Sequence, residues 1–299
     1  MAVRAVIGRG ATASATARRF ADAGDEVRLI SRSGGGPEHP GVERIALDAH
    51  RTEDLAEAIQ GAATVFNCAA TPYHTWPESM PVLFGSILTA TERAGADYVM
   101  LGNLYGYRQT AGTITERTPM EPHTRKGKVR AELWHQAKAA HDAGRLRATE
   151  VRAGQFIGAG AFSAFNILVE PHLLKGELAL VHGNPDTVHS FTYIEDVAAA
   201  LVAVARGEEA WGRAWHAPMI TATVREVAAR FAELRGAPEP RLEEFTEREL
   251  TVLGFTDPLW NEFREMSFMA DRPFIVDDTD MRETFGLKAS QLDEALAGM

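Results

Sequence analysis

The opening 33 residues constrain this chain more than any other stretch. Residues 2–7 predict a short buried strand, and Gly8-Arg9-Gly10-Ala11-Thr12-Ala13 follows it directly. Residues 11–23 carry a helical pattern that Gly24 ends, and residues 27–30 predict a second strand. Strand, glycine turn, helix and strand in that order give the G-x-G-x-x-A pattern a physical meaning. Gly8 permits the tight turn, Gly10 lets the backbone approach a pyrophosphate, and Ala13 is small enough for helix and strand to pack closely. Ala11, Thr12 and Ala13 open the helix, where free N–H groups and the positive end of the dipole face phosphates. The unit predicts a dinucleotide site.

The end of the second strand narrows the dinucleotide. An acidic residue there would hold ribose hydroxyls. The sequence has Ser31-Arg32-Ser33 instead, with no carboxylate between Val27 and Pro37. A guanidinium takes a phosphate through two parallel hydrogen bonds, and hydroxyls add donors. Arg9, between the glycines, can reach the same region. The expectation is NADPH rather than NADH; two solvent-facing arginines are the alternative.

With 299 residues, the chain can bury a large core and suits one nucleotide-binding domain with a smaller appended region. A net charge of −10 argues against nucleic acid or an anionic membrane as partner. Cys68 is the single cysteine, which excludes a disulfide framework and a cysteine-based metal site; no metal is expected. No run is long and apolar enough to span a bilayer. The first strand starts almost at Met1, leaving no room for a signal peptide, so the cytoplasm is the expected location.

Further strands are predicted at 42–47, 64–69, 98–101 and 149–152. Helices are predicted at 53–59, at 81–94, and from Glu121 or Thr124 to residue 143. Strands alternating with helices over 150 residues predict an α/β fold with a doubly wound parallel sheet. Ligands of such sheets bind outside the carboxyl ends of the strands. That rule sets Asp48, Cys68, Ala69, Ala70, Leu101, Gly102, Asn103 and residues 153–156 along one rim. Asp48 would lie near the adenine. Ala69 and Ala70 are small where a cofactor must run close to the backbone, although packing alone accounts for them equally well. The loop 71–77 carries Tyr73, His74 and Trp76 and would wall the nicotinamide end of the site, with Tyr73 and His74 at the substrate, or lie plainly on the surface.

This order of elements resembles the extended short-chain dehydrogenase/reductase family, which includes nucleotide-sugar epimerases and dehydratases. Val151-Arg152-Ala153-Gly154-Gln155-Phe156-Ile157-Gly158 resembles its strand and loop beside the nicotinamide. Ser190-Phe191-Thr192-Tyr193-Ile194-Glu195-Asp196-Val197 resembles its late strand and helix, with Asp196 as a helix cap. Thr223-Val224-Arg225-Glu226-Val227, Arg272-Pro273-Phe274 and Phe285-Gly286-Leu287 resemble its C-terminal segments. The resemblance implies a Rossmann-type NADP-binding domain over 1–158, joined by 188–217, and a smaller substrate region over 159–187 and 218–299. It implies Gln155 at the cofactor, Phe156 and Asn103 at the substrate, and a monomer or homodimer.

The family's catalytic set is Ser or Thr with Tyr-x-x-x-Lys, and here the pattern breaks. Lys128 matches the lysine, Thr124 stands at the tyrosine, and the serine falls on Leu101 or Gly102. By resemblance Lys128 holds the nicotinamide ribose. The hydroxyl of Thr124 is shorter and far less acidic than a phenol of pKa about 10. Losing a general acid typically costs roughly 10²- to 10⁴-fold in rate. Positioning alone still lowers a hydride-transfer barrier strongly. A reductase tolerates this loss better than an epimerase, which needs acid and base in turn.

The segments Leu101-Gly102-Asn103-Leu104-Tyr105-Gly106-Tyr107 and Lys126-Gly127-Lys128-Val129-Arg130-Ala131 resemble atypical family members that reduce angucyclinone ketones. The expected activity is therefore NADPH-dependent reduction of a ketone or quinone-type carbonyl of an aromatic polyketide, in antibiotic biosynthesis. The proton would come from a substrate phenol, a water, or one of Tyr73, His74, Asn103, Tyr107 and His123. The alternatives are a catalytically inactive NADP-binding regulator or scaffold, and a nucleotide-sugar epimerase or dehydratase. Leu253, Phe255, Leu259, Trp260, Phe263, Met266, Phe268 and Met269 would line a pocket for a flat substrate, or form a small core.

Overall fold

A computed structural model describes residues 2–108 and 112–299. The first half alternates as the sequence predicts: β1 (Val3–Ile7), α1 (Ala11–Asp22), β2 (Glu26–Ser31), β3 (Val42–Ala46), α2 (Thr52–Ala58), β4 (Thr64–Asn67), α3 (Trp76–Ala94), β5 (Asp97–Asn103), α4 (Arg125–Asp142) and β6 (Ala148–Ala153). The chain continues through β7 (Gln155–Ile157), a π turn at Phe165–Val169, α5 (Glu170–Leu173), β8 (Leu178–Val181), β9 (Val188–Tyr193), α6 (Ile194–Val204) and β10 (Ala214–His216). It closes with β11 (Ile220–Thr223), α7 (Val224–Arg235), β12 (Arg241–Glu244), α8 (Glu247–Gly254), α9 (Leu259–Met266), α10 (Thr279–Phe285) and α11 (Leu292–Ala297).

Among the described residues the main sheet has seven parallel strands in the order β10-β6-β5-β4-β1-β2-β3. This is a Rossmann-type, doubly wound sheet. The winding reverses between β1 and β4, so a crevice opens at their carboxyl ends. Successive side chains of β4 face opposite layers, as strand geometry requires. Val65 packs with Met80, Leu83 and Ile87 of α3 and Leu133 and Trp134 of α4. Phe66 packs with Phe20 of α1, at a ring separation of 4.9 Å, and with Leu201 of α6. Each fully buried side chain of this kind is worth about 1.5–3 kcal/mol.

The remaining strands form a β11-β9-β7 sheet and a parallel β12-β8 pair around Phe165, Phe191 and Phe231. No helix among the described residues is long and apolar enough to cross a membrane.

Several local expectations change. Helix α3 starts at Trp76, a turn before the expected residue 81, because Pro77 occupies the first turn, where no N–H is needed. Asp196 does not cap α6. Its carboxylate accepts from the N–H and the hydroxyl of Ser290, both at 2.8 Å, and so ties the C-terminal segment to that helix. The apolar C-terminal side chains divide. Leu253, Trp260 and Phe263 pack on the Phe231 core, Phe268 and Met269 on a core around Phe274, and Phe255 is 85% exposed.

Candidate functional site

The crevice is shaped by two glycines. Gly8 has φ +124°, and a Cβ there would lie 2.7 Å from the carbonyl oxygen of Cys68, so β1 and β4 approach as closely as backbones allow. At Gly10 a Cβ would meet nothing within 4 Å, which leaves open space against the turn. Gly10 is also the N-cap of α1, and no side chain caps this helix. The first N–H groups of Ala11, Thr12 and Ala13 therefore point out with no intrahelical acceptor. A dinucleotide pyrophosphate fits this cradle by charge and by space. Across the crevice, Asn67 donates to the hydroxyl of Tyr98 (2.9 Å) and accepts from the N–H of Ala69 (3.2 Å), which fixes the turn through Cys68 and Ala69. Burial pushes the Cys68 thiol up to about 12, so it is protonated at neutral pH. Ala70 is exposed beyond the turn.

At the end of β2, the Ser31 hydroxyl donates to the carbonyl of Gly35 (3.2 Å), and Ser33 Oγ accepts from the N–H of Gly35 (3.4 Å). This folds the loop back so that the Arg9 side chain runs beside Gly35 and Ser33. Arg9, Arg32 and Ser33 are exposed. Asp48 is hydrogen-bonded by His50, and those bonds, with a smaller contribution from the Arg32 charge, hold its carboxyl below the usual carboxylate range. Arg9, Arg32, Ser33 and Asp48 thus share one corner of the crevice.

The other end is built on the start of α4. Thr124 is the N-cap, and its Oγ1 accepts from the N–H of Gly127 (3.0 Å). The hydroxyl expected at the family's tyrosine position is thereby engaged at the helix start. Lys128 is exposed in the first turn. Lys126 is fully buried. Its ammonium contacts Glu262 and lies 2.7 Å from Glu265, while its N–H donates to Glu265 at 2.9 Å. It also sits 4.6 Å above the ring of Tyr73. Tyr73 donates to the hydroxyl of Tyr105 (3.1 Å), and burial pushes both phenols above their ordinary pKa. Asn103 accepts from the N–H of Tyr105 (3.1 Å). His74 is exposed, Phe156 is half-buried against α1 and α6, and His123 meets the Phe268 ring edge to face.

The model of the family described as "NAD dependent epimerase/dehydratase family" matches residues 6–215. The chain belongs to that family. No curated protein sequence matches it. Among solved structures, it is similar to MoeE5 in complex with UDP-glucuronic acid and NAD, at 19% identity and TM-score 0.79, covering 99% of this chain and 97% of that one. It is similar to a UDP-glucuronic acid 4-epimerase from Bacillus cereus in complex with NAD (15%, TM-score 0.80, 99% and 96%). It is also similar to DesIV, a dTDP-glucose 4,6-dehydratase from Streptomyces venezuelae with NAD and TYD bound (18%, TM-score 0.79, 99% and 94%). At these identities the likeness is one of fold. The expected likeness to angucyclinone ketoreductases receives no support from these comparisons.

Within this epimerase/dehydratase framework, sequence reasoning missed a buried polar layer beneath the site. Glu150 and Arg152 pair at 2.7 Å with almost no exposure. Arg152 also donates to the hydroxyl of Tyr107, whose oxygen lies 3.0 Å from Nε2 of His216. Arg130 lies 4.4 Å over the ring of Trp76 and 3.4 Å from the carbonyl of Leu101. The signal was present in part: two charged residues at positions 150 and 152 share one face of a central strand, where apolar residues are expected. Tyr107, named as a proton donor, is fully buried in this layer. Among the described residues, no three His, Cys, Asp or Glu side chains are placed to hold a metal ion.

Proposed function

We propose that this chain is an oxidoreductase that binds NADPH in the crevice between β1 and β4 and exchanges hydride with a substrate carbonyl or alcohol carbon. The observation that carries the reading is the uncapped start of α1 behind Gly10, with open space in front of it. Gly8, Gly10, Ala11, Thr12 and Ala13 would hold the pyrophosphate. Arg9, Arg32, Ser31 and Ser33 would take the 2′-phosphate, since a guanidinium pairs with phosphate and no carboxylate faces it from the β2 end. Asp48 would lie at the adenine, Cys68, Ala69 and Ala70 along the backbone of the cofactor, and Lys128 and Gln155 at the nicotinamide end. The reduced nicotinamide supplies a hydride. The solved relatives carry NAD, and the basic β2 end supports the phosphorylated form for this chain.

On substrate class, the solved relatives support the nucleotide-sugar alternative over the aromatic polyketide expected from the sequence, because the likeness runs through the whole substrate region. Tyr73, His74, Asn103 and Phe156 would border that substrate. The second reading, reduction of a ketone on an aromatic ring system, is favoured by Thr124. Its hydroxyl holds a helix end, so a proton must come from the substrate, from water or from another side chain. The test has two steps. NADPH and NADH are titrated into the parent protein and Arg32→Ala; a selective loss for NADPH is expected, and equal losses remove the NADPH assignment. Then UDP-glucose, UDP-glucuronic acid and a hydroxylated angucyclinone are offered with the preferred cofactor. Conversion of a nucleotide sugar supports the first reading and reduction of the angucyclinone the second. Tight cofactor binding with neither reaction leaves the regulator or scaffold.

A further inference from the structure

Residues 246–269 leave the body of the protein and return to it at one place. Before them, β12 pairs in parallel with β8, and the N–H of Phe245 donates to the carbonyl of Val181 at 2.9 Å. After them, Ala270 packs on Gly183, where a Cβ would lie 2.7 Å from the carbonyl oxygen of Ala270. Both ends are thus fixed at residues 181–183, just past β8. Phe245 and Ala270 are buried, but between them only Leu250 and Met266 are. A segment with so few buried side chains opens locally at lower cost than the core does. It also holds together as one unit. Thr246 and Glu249 form a capping box at the start of α8, Arg264 of α9 pairs with Glu247 of α8 at 3.2 Å, and the Asn261 amide donates to the carbonyl of Gly254 at 3.3 Å.

The attachments of this unit differ from side to side. Towards β8 they are ring contacts and one neutral hydrogen bond: Trp260 meets Phe245 at 5.6 Å, Phe263 meets His182 at 5.2 Å, and Ser267 lies 3.0 Å from Nε2 of His182. Towards α4 they are ionic. The buried ammonium of Lys126 is enclosed by Glu262 and Glu265 of α9 and by the ring of Tyr73, so lifting α9 would expose it. α9 also lies against the turn at Tyr73–Thr75, and Phe268 meets His123 just before α4. Opening returns all three charges to water, so the closed ion pairs are only modestly favoured. Removing the ammonium leaves two carboxylates facing each other and favours the open form.

We propose that residues 246–269 form a lid that hinges at residues 181–183, that Lys126 latches it to the start of α4, and that it gates the substrate end of the site. The gating rests on the reading of Tyr73 as a border of the substrate. The full chain, with Cys68→Ala removing its single cysteine, receives spin labels at Phe255→Cys on the lid and Gln136→Cys on α4, both exposed positions. One main distance is expected in the otherwise unchanged protein. Lys126→Met should add a second, longer distance and raise its population at least about 10-fold, and Lys126→Arg, which keeps the cation, should stay with the first. Glu262→Gln with Glu265→Gln breaks the latch from the other side and should show the same second distance. A distribution in both latch-breaking proteins equal to that of the parent overturns the lid. Association of UDP-glucuronic acid and of a hydroxylated angucyclinone is then followed with NADPH bound. The probe that binds should associate faster in Lys126→Met by the factor found for the open population, with NADPH association unchanged. An equal rate in both proteins overturns the gate. Failure of NADPH or of both probes to bind the parent removes the cofactor or substrate reading, and the label distances still decide the lid.

Discussion

The carboxylate of Glu150 fills the space in front of Gly102: a Cβ at that glycine would lie 2.0 Å from Oε1. Glu150 cannot swing away freely, because it is buried and paired with Arg152. Gly102 is one of the two positions, with Leu101, where the family's serine is expected, and at Gly102 the absent side chain and the buried charge pair are one feature. Gly102→Ser, which returns a hydroxyl to this position, should destabilise the fold by about 1–3 kcal/mol through overpacking. A lowered urea midpoint at unchanged slope is the expected result. A midpoint equal to that of the parent would mean that Glu150 moves without cost.

The Tyr107–His216 contact links the same layer to pH. His216 is fully buried, its Nδ1 lies 2.7 Å from the carbonyl of Asp277, and Nε2 faces the Tyr107 hydroxyl. The carbonyl is an acceptor only, so Nδ1 carries the proton and Nε2 accepts from the phenol. Burial, above all, pushes His216 down to about 4, against an ordinary value of 6.5. The folded-state pKa lies below the unfolded one, so the unfolded chain binds more protons between these values. Stability is fully present above pH 6.5 and should fall as the pH drops towards 4. His182 and His189 add to the same window. Tyr107→Phe should cost about 1–3 kcal/mol, by leaving both Nε2 and an Arg152 N–H unpaired. Urea midpoints at pH 7.5, 6 and 4.5 check both statements; a flat profile would contradict the buried neutral imidazole.

The sheet and the crevice were legible because their physics is local. Gly8, Gly10 and the apolar strands around them state the turn, the helix start and the burial in consecutive residues. Strand β10 was not legible: Trp215 is surrounded by turns and charged residues, and only its packing beside β6 makes it a strand. Long-range pairs escaped for the same reason. Lys126 meets Glu265 across 139 positions, and Tyr107 meets His216 across 109. No periodicity encodes such a meeting. The hydrogen bond from Gly127 to Thr124 escaped too, because it depends on where the helix begins, and helix ends are poorly marked in sequence.

That bond yields its own prediction. Thr124→Ala should lower stability by about 1 kcal/mol, the typical worth of an N-cap, and Thr124→Ser should retain it. If Thr124 serves the helix alone, NADPH affinity should be unchanged in both variants. A selective loss of NADPH binding in Thr124→Ala would place the hydroxyl at the cofactor instead.

The clamp between Lys126 and α9 ties that helix to the start of α4. Burial alone would raise the Glu265 carboxyl, but hydrogen bonds from the ammonium and the N–H of Lys126 hold it below the usual carboxylate range. Its folded-state value lies below the unfolded one, so this contribution is present above about pH 4.5 and is lost as the pH falls through the folded value. Lys126→Met removes the cation and leaves Glu262 and Glu265 facing each other in a largely buried place. Breaking a buried pair in this way typically costs about 3–5 kcal/mol. The expected result is faster amide exchange across Leu259–Met266 with exchange in β1 and β4 unchanged, since the ion pairs and hydrogen bonds of the clamp run between α4 and α9. Adding Glu262→Gln and Glu265→Gln to Lys126→Met should recover part of the loss, because the uncompensated charge is then gone. Unchanged exchange in α9 after Lys126→Met would show that its apolar packing through Trp260 and Phe263, rather than the ion pairs, keeps the helix in place.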